Sequence, residues 1–163
     1  TVTGPLTVTG ELLVKRGAKL LVGGDVALAT VSPRTLALVL NGTALQSAVF
    51  ASSSLLSVEA VNPSVSFAGD FFCETLTLGN ATDTCDYAFA DGTSVEAILA
   101  YVNGSLSQPN VTLRPAETGK TWTFKTKASS VVGAIVNYRM AGLKLKRDMS
   151  LLTISEEGLL LED

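Results

Sequence analysis

Residues 1–42 read TVTGPLTVTGELLVKRGAKLLVGGDVALATVSPRTLALVLNG, and their rhythm decides the fold class. Turn residues recur every roughly six to nine positions, at Gly4-Pro5, Gly10, Gly17, Gly23-Gly24, Pro33 and Gly42, which leaves room for short strands and none for helices. Between these turns Val2, Leu6 and Val8 share one strand face, with Thr1, Thr3, Thr7 and Thr9 opposite. Leu36, Leu38 and Leu40 repeat the period of two. One face of each strand is apolar enough to bury.

The same alternation returns in Val65 and Phe67, in Leu76 and Leu78, in Trp122 and Phe124, in Leu143 and Leu145, and over 151–154. It predicts an all-β chain. The leading expectation is an antiparallel β-sandwich or jelly-roll-like domain, in which hairpin-linked strands bury their apolar faces between two sheets; a β-solenoid or fibre-like strand-turn repeat is the alternative. One helix is expected over 93–102: Thr93 and Glu96 have capping-box spacing, and Val95, Ile98, Leu99 and Val102 form a stripe at helical spacing before Asn103-Gly104. The spacing of 129–140 suits either helix or strand, and its β-branched residues favour a strand, while 105–120 reads as an exposed loop. Without a Pro-rich or Gly/Ser-rich linker, 1–163 is one domain.

Of the 163 residues, 47% are apolar and 17% charged, a balance that predicts a compact fold. A formal charge of −3 offers no broad cationic surface for nucleic acid. No apolar run approaches the roughly 20 residues needed to span a bilayer as a helix. The basic residues Arg139, Lys144, Lys146 and Arg147 alternate in part with leucines, which marks a charged, half-buried strand edge.

Cys73 and Cys85 lie in FFCETLTLGNATDTC, close enough to be bridged across a hairpin or short loop, the other reading being two buried free thiols. The asparagines weigh towards export. Four of them stand in N-x-S/T sequons, Asn41, Asn80, Asn103 and Asn110, where chance predicts about one. Each sits beside a glycine or proline, at turns that tolerate a glycan. With the start at Thr1 read as following a removed export signal, the chain is expected to be an extracellular glycoprotein, secreted or at the cell surface.

Catalytic chemistry finds little footing. The chain contains no histidine, which removes the usual general base, every His-containing triad and every His-containing zinc site. Neither S-x-x-K nor a phosphate-binding glycine motif occurs, and adjacent Glu156 and Glu157 point to opposite faces of a strand. No enzyme activity and no organic cofactor are expected. The one cluster with ligand chemistry is Asp83, Asp86 and Asp91, hard oxygen donors in a loop-rich stretch that could meet on calcium, or that serve as acidic turn residues.

In layout, residues 1–14, the sequons and the lack of helical pilin patterning make the chain similar to the exported donor-strand filament subunits of archaea, single β-domains with a free N-terminal strand. That resemblance implies a non-catalytic structural subunit that polymerises with its own copies. Residues 1–14 would be an exchangeable strand and Val2, Leu6 and Val8 the side chains it buries in a neighbour. The strand-turn run of 10–42 also resembles the stalks of viral and phage fibres, which implies an attachment module for a glycan or cell-surface receptor. Trp122, Tyr87 and Tyr101 would then be its contact aromatics, although core packing suits them as well.

Overall fold

The computed structural model describes residues 1–136, 143–145 and 151–155. The strands are β1 (Leu6–Leu12), β2 (Ala18–Val22), β3 (Val26–Val31), β4 (Leu36–Leu40), β5 (Gln46–Phe50), β6 (Ser53–Ala60), β7 (Ser64–Ala68) and β8 (Phe71–Leu78). They continue as β9 (Cys85–Phe89), β10 (Ser94–Asn103), β11 (Val111–Pro115), β12 (Trp122–Val132), β13 (Ala134–Val136), β14 (Leu143–Leu145) and β15 (Leu151–Ser155). Odd strands form one sheet in the order β1-β3-β5-β7-β9-β11-β13. Even strands form the other, β2 to β14 in sequence order, with β15 beside β14 on β12.

Each strand from β1 to β12 pairs in parallel with the strand two ahead of it in sequence. The chain therefore winds, one strand to each sheet per coil, and the architecture is a β-solenoid. This overturns the antiparallel sandwich. Alternation specifies which face of a strand is buried, and two facing sheets bury that face equally well whether the chain returns by hairpins or by coiling. Coil length varies from 18 residues (Ala18 to Leu36) to 29 (Ser94 to Thr123), so no fixed repeat is visible along the chain.

The predicted helix is also corrected: it is β10, and nothing among the described residues is helical. Its buried residues are Val95, Ala97, Ala100 and Val102, a strand whose inward parity switches once in the middle. β8 does the same with Phe71, Cys73, Leu76 and Leu78, and β6 with Ser53, Leu55, Val58 and Ala60. Register stacks these switches on one another, Leu55 on Cys73 on Ala97 and Val58 on Leu76 on Ala100, so each long even strand bends at one place. A bent strand buries i, i+2, i+5 and i+7, which shares its first and last positions with a helical stripe. Two flanking ladders, to β8 and β12, then override local helix signals. The loop expected over 105–120 is likewise interrupted by β11, with Val111, Leu113 and Pro115 inward. The strand reading of 129–140 holds through β12 and β13; 137–140 lie outside the described residues, as do Arg139, Lys146, Arg147, Glu156 and Glu157.

The core between the sheets changes character along the axis. Val22, Leu40, Ala60, Leu78 and Val102 form an aliphatic column through five coils. Across from it Phe67 stacks on Phe89 with centroids 5.2 Å apart, and Phe89 on Trp122 at 3.8 Å.

Corners repeat as well. Among the described residues, each turn from an odd to an even strand places one residue at positive φ: Gly17, Arg34, Ser52, Gly69, Gly92 and Gly119. At Gly69 the requirement is doubled, because an added Cβ would also run into the carbonyl oxygen of Phe50. The opposite corner carries a buried polar spine. The Gln46 amide donates to the Val22 and Gly24 carbonyls and accepts from the Gly42 N–H and from Asn62 Nδ2. Asn62 Nδ2 also donates to the Ala44 carbonyl, and the Tyr87 hydroxyl accepts from the Gly79 N–H. These bonds satisfy groups that would otherwise cost about 1–3 kcal/mol each if buried without a partner.

Candidate functional site

Among the described residues, the first coil has a neighbouring coil on one side only. β1 pairs with β3, and Val2 forms a single parallel bridge to Val22 of β2; among the described residues neither β1 nor β2 has a strand on its outer side. Leu6 N–H donates to the Asp25 carbonyl, so Leu6 and Val8 direct their backbone groups to β3, and Thr7 between them turns its N–H and C=O to the open side. Val2, Leu6, Val8, Leu12, Val14 and Leu20 are only half-buried, because no further coil among the described residues covers them. Residues 1–14, expected to be exchangeable, thus fold in cis as the outermost coil. Pro5 and a register shift between Val8 and Glu11 confine the regular edge of β1 to Leu6, Thr7 and Val8. Arg16 anchors this coil lengthwise, donating to both Glu74 carboxylate oxygens and to the Arg34 carbonyl.

A second feature lies on the flank. Three successive coils bring Ser52, Asp70 and Ser94 into one row and Ser54, Phe72 and Glu96 into the next, and between them they line a shallow cleft of about 230 Å³. Asp70 accepts from the Ser94 N–H, Glu96 pairs with Lys125 at 3.4 Å, and the Arg34 guanidinium lies 4.6 Å from the Phe72 ring centre. Sequence reading missed this cleft, whose signal is the bent-strand pattern that aligns 53–60, 71–78 and 95–102.

No family model, no curated protein and no solved structure matches this chain. Its own geometry is therefore the only guide to the residues singled out in the sequence.

The calcium candidates are not gathered. Asp83 sits in the turn before β9 and accepts from Asn80 Nδ2; Asp86 takes a bidentate pair from Arg114 at 2.7 and 2.8 Å; Asp91, past the end of β9, accepts from the Thr121 N–H and pairs with Lys120. The Thr121 N–H and then Lys120 hold the Asp91 carboxyl below its ordinary range, and Asp86 raises Arg114. The bridge expected between Cys73 and Cys85 is not formed: β8 and β9 belong to different sheets, and both residues are buried free thiols. Burial pushes the Cys73 thiol up to about 12.

Of the three aromatics, Trp122 and Tyr87 are core residues, and burial raises the Tyr87 hydroxyl well above its usual range. Tyr101 alone is exposed, at 39%. Asn41, Asn80 and Asn110 fall in turns from even to odd strands and Asn103 ends the even strand β10, so coiling places all four along one edge of the solenoid. No helix among the described residues is long and apolar enough to cross a membrane.

Proposed function

We propose that the protein is a non-catalytic extracellular structural subunit that assembles with its own copies into a surface filament or fibre by β-strand addition at the open first coil. The observation that carries this reading is the backbone edge at Thr7, unpaired among the described residues and backed by the half-buried side chains of Val2, Leu6 and Val8. A strand laid on that edge gains ladder hydrogen bonds and covers the apolar end at the same time. The mode differs from a free donor strand: the N-terminal segment stays in its own fold and serves as the template.

The test is Thr7→Pro. Proline removes an N–H that β3 does not use, so the monomer keeps its melting temperature while the edge loses a donor. Fibres should vanish from negative-stain micrographs; fibres of unchanged length and number would end the proposal. Deleting 1–9 is a blunter experiment, since it bares the edge of β3 in turn.

A glycan- or receptor-binding attachment module is the second reading, favoured by the cleft of Ser52, Ser54, Asp70, Phe72, Ser94 and Glu96. Its hydroxyls and carboxylates beside an aromatic face suit a polar, hydroxyl-rich ligand. It predicts binding on a glycan array that Phe72→Ala abolishes, and discrete particles in place of fibres.

A further inference from the structure

Four sequons share one edge of the solenoid, yet their side chains stand in different states. The Asn110 amide is a clamp: Nδ2 donates to the Asn80 carbonyl at 2.9 Å and to the Asp83 carbonyl at 2.6 Å, while Oδ1 accepts from the Ser105 N–H, also at 2.6 Å. It thereby ties the 79–84 turn to the 104–110 turn of the next coil. Asn80 is used within its own turn, where Oδ1 accepts from the N–H groups of Thr82 and Asp83 and from the Thr82 hydroxyl, and Nδ2 donates to Asp83. Asn41 buries its Oδ1 entirely. Asn103 differs. It ends β10, its side chain is exposed, and it makes no side-chain hydrogen bond among the described residues.

N-glycosylation converts the Nδ2 amino group into a secondary amide, which keeps one N–H and gains a sugar on the other side. At Asn110 both Nδ2 hydrogens are committed to carbonyls of the neighbouring turn. A sugar there would remove one bond and wedge the two turns apart. At Asn103 the same reaction disturbs nothing.

We infer that Asn103 is the glycan acceptor of the folded chain and that Asn110, despite its sequon, is a turn-locking residue that folding keeps free of sugar. The inference rests on the extracellular reading of the protein, and its test separates the two. The full chain is secreted from a eukaryotic host, and its folded monomeric fraction is treated with peptide N-glycosidase in heavy-oxygen water, so that each formerly occupied asparagine is marked as labelled aspartate in a peptide map. Label at Asn103 and none at Asn110 is the expected result. Label at Asn110 equal to or above that at Asn103 overturns the assignment while leaving the glycoprotein reading intact; a map with no label at any of the four sites sinks both.

Stability supplies an independent readout. Asn103→Gln should abolish the glycan's mass shift and leave the unglycosylated chain melting where it did. Asn110→Gln, whose longer side chain cannot hold both carbonyls, should lower the melting temperature of unglycosylated protein by about 5 °C. Equal melting of the two variants would overturn the clamp.

Discussion

The first coil and the aromatic coils near β9 and β12 are built from the same two-strand turn, but they carry opposite burdens. In the first coil Leu6 and Val8 are half-exposed and lean on one neighbour. Phe67, Phe89 and Trp122 are sealed between both sheets and between coils above and below. A solenoid coil is stabilised by its neighbours, so an end coil has half the contacts of an internal one. The difference separates a part of the molecule sealed on every side from a part whose apolar face is only half covered among the described residues.

Trp122→Ala should test that contrast hardest. It removes the ring stacked on Phe89 and leaves a cavity, at a cost of about 3–5 kcal/mol, whereas Val8→Ala in the first coil should cost about 1 kcal/mol. Urea denaturation midpoints compare the two, and similar losses would mean that the end coil is covered in solution. The corner glycines make a second pair. Gly69→Ala forces both a left-handed alanine and a shift of the Phe50 carbonyl, an expected loss of about 2–4 kcal/mol, against about 1 kcal/mol for Gly17→Ala, where the same φ meets open space.

The Cys73 thiol sharpens the comparison by pH. Unfolded, it ionises near 9.0; folded, it keeps its proton to about 12. Unfolding between those values releases a proton, so stability should fall with rising pH by up to about 1.4 kcal/mol per unit, and this group should add no pH dependence below pH 9. Cys73→Val should flatten that slope in urea titrations, and neither thiol should react with a thiol reagent until denaturant is added. The smallest effect is a gain: Ser52→Gly relieves a non-glycine residue at φ 57 and should raise stability by about 0.5 kcal/mol.

Several of these positions were already marked in the chain. Gly17 stood out as a turn, and Trp122 and Phe124 as one strand face. The corner column that unites Gly17 with Gly69, Arg34 and Ser52 did not, since Arg34 and Ser52 carry no turn signature and the coils differ in length. Val95 and Val102 misled because a strand bent once in the middle imitates a helical stripe. Cys73 and Cys85 misled because closeness along the chain does not reveal which sheet each strand joins. The cleft of Ser52, Asp70, Phe72 and Glu96 was invisible for a related reason: its rows exist only once coils of unequal length are brought into register.

Read alone, the chain determines that it forms strands, which side of most of them is buried, where most turns fall, and that histidine chemistry is absent. Those properties follow from local sterics and from the period of two, which neighbouring residues decide among themselves. Whether the strands run parallel or antiparallel, where the even strands bend, and which residues stack from coil to coil were decided only by tertiary structure. Pairing joins residues 18 to 29 positions apart, and its free energy comes from ladders and packing that no local stretch contains.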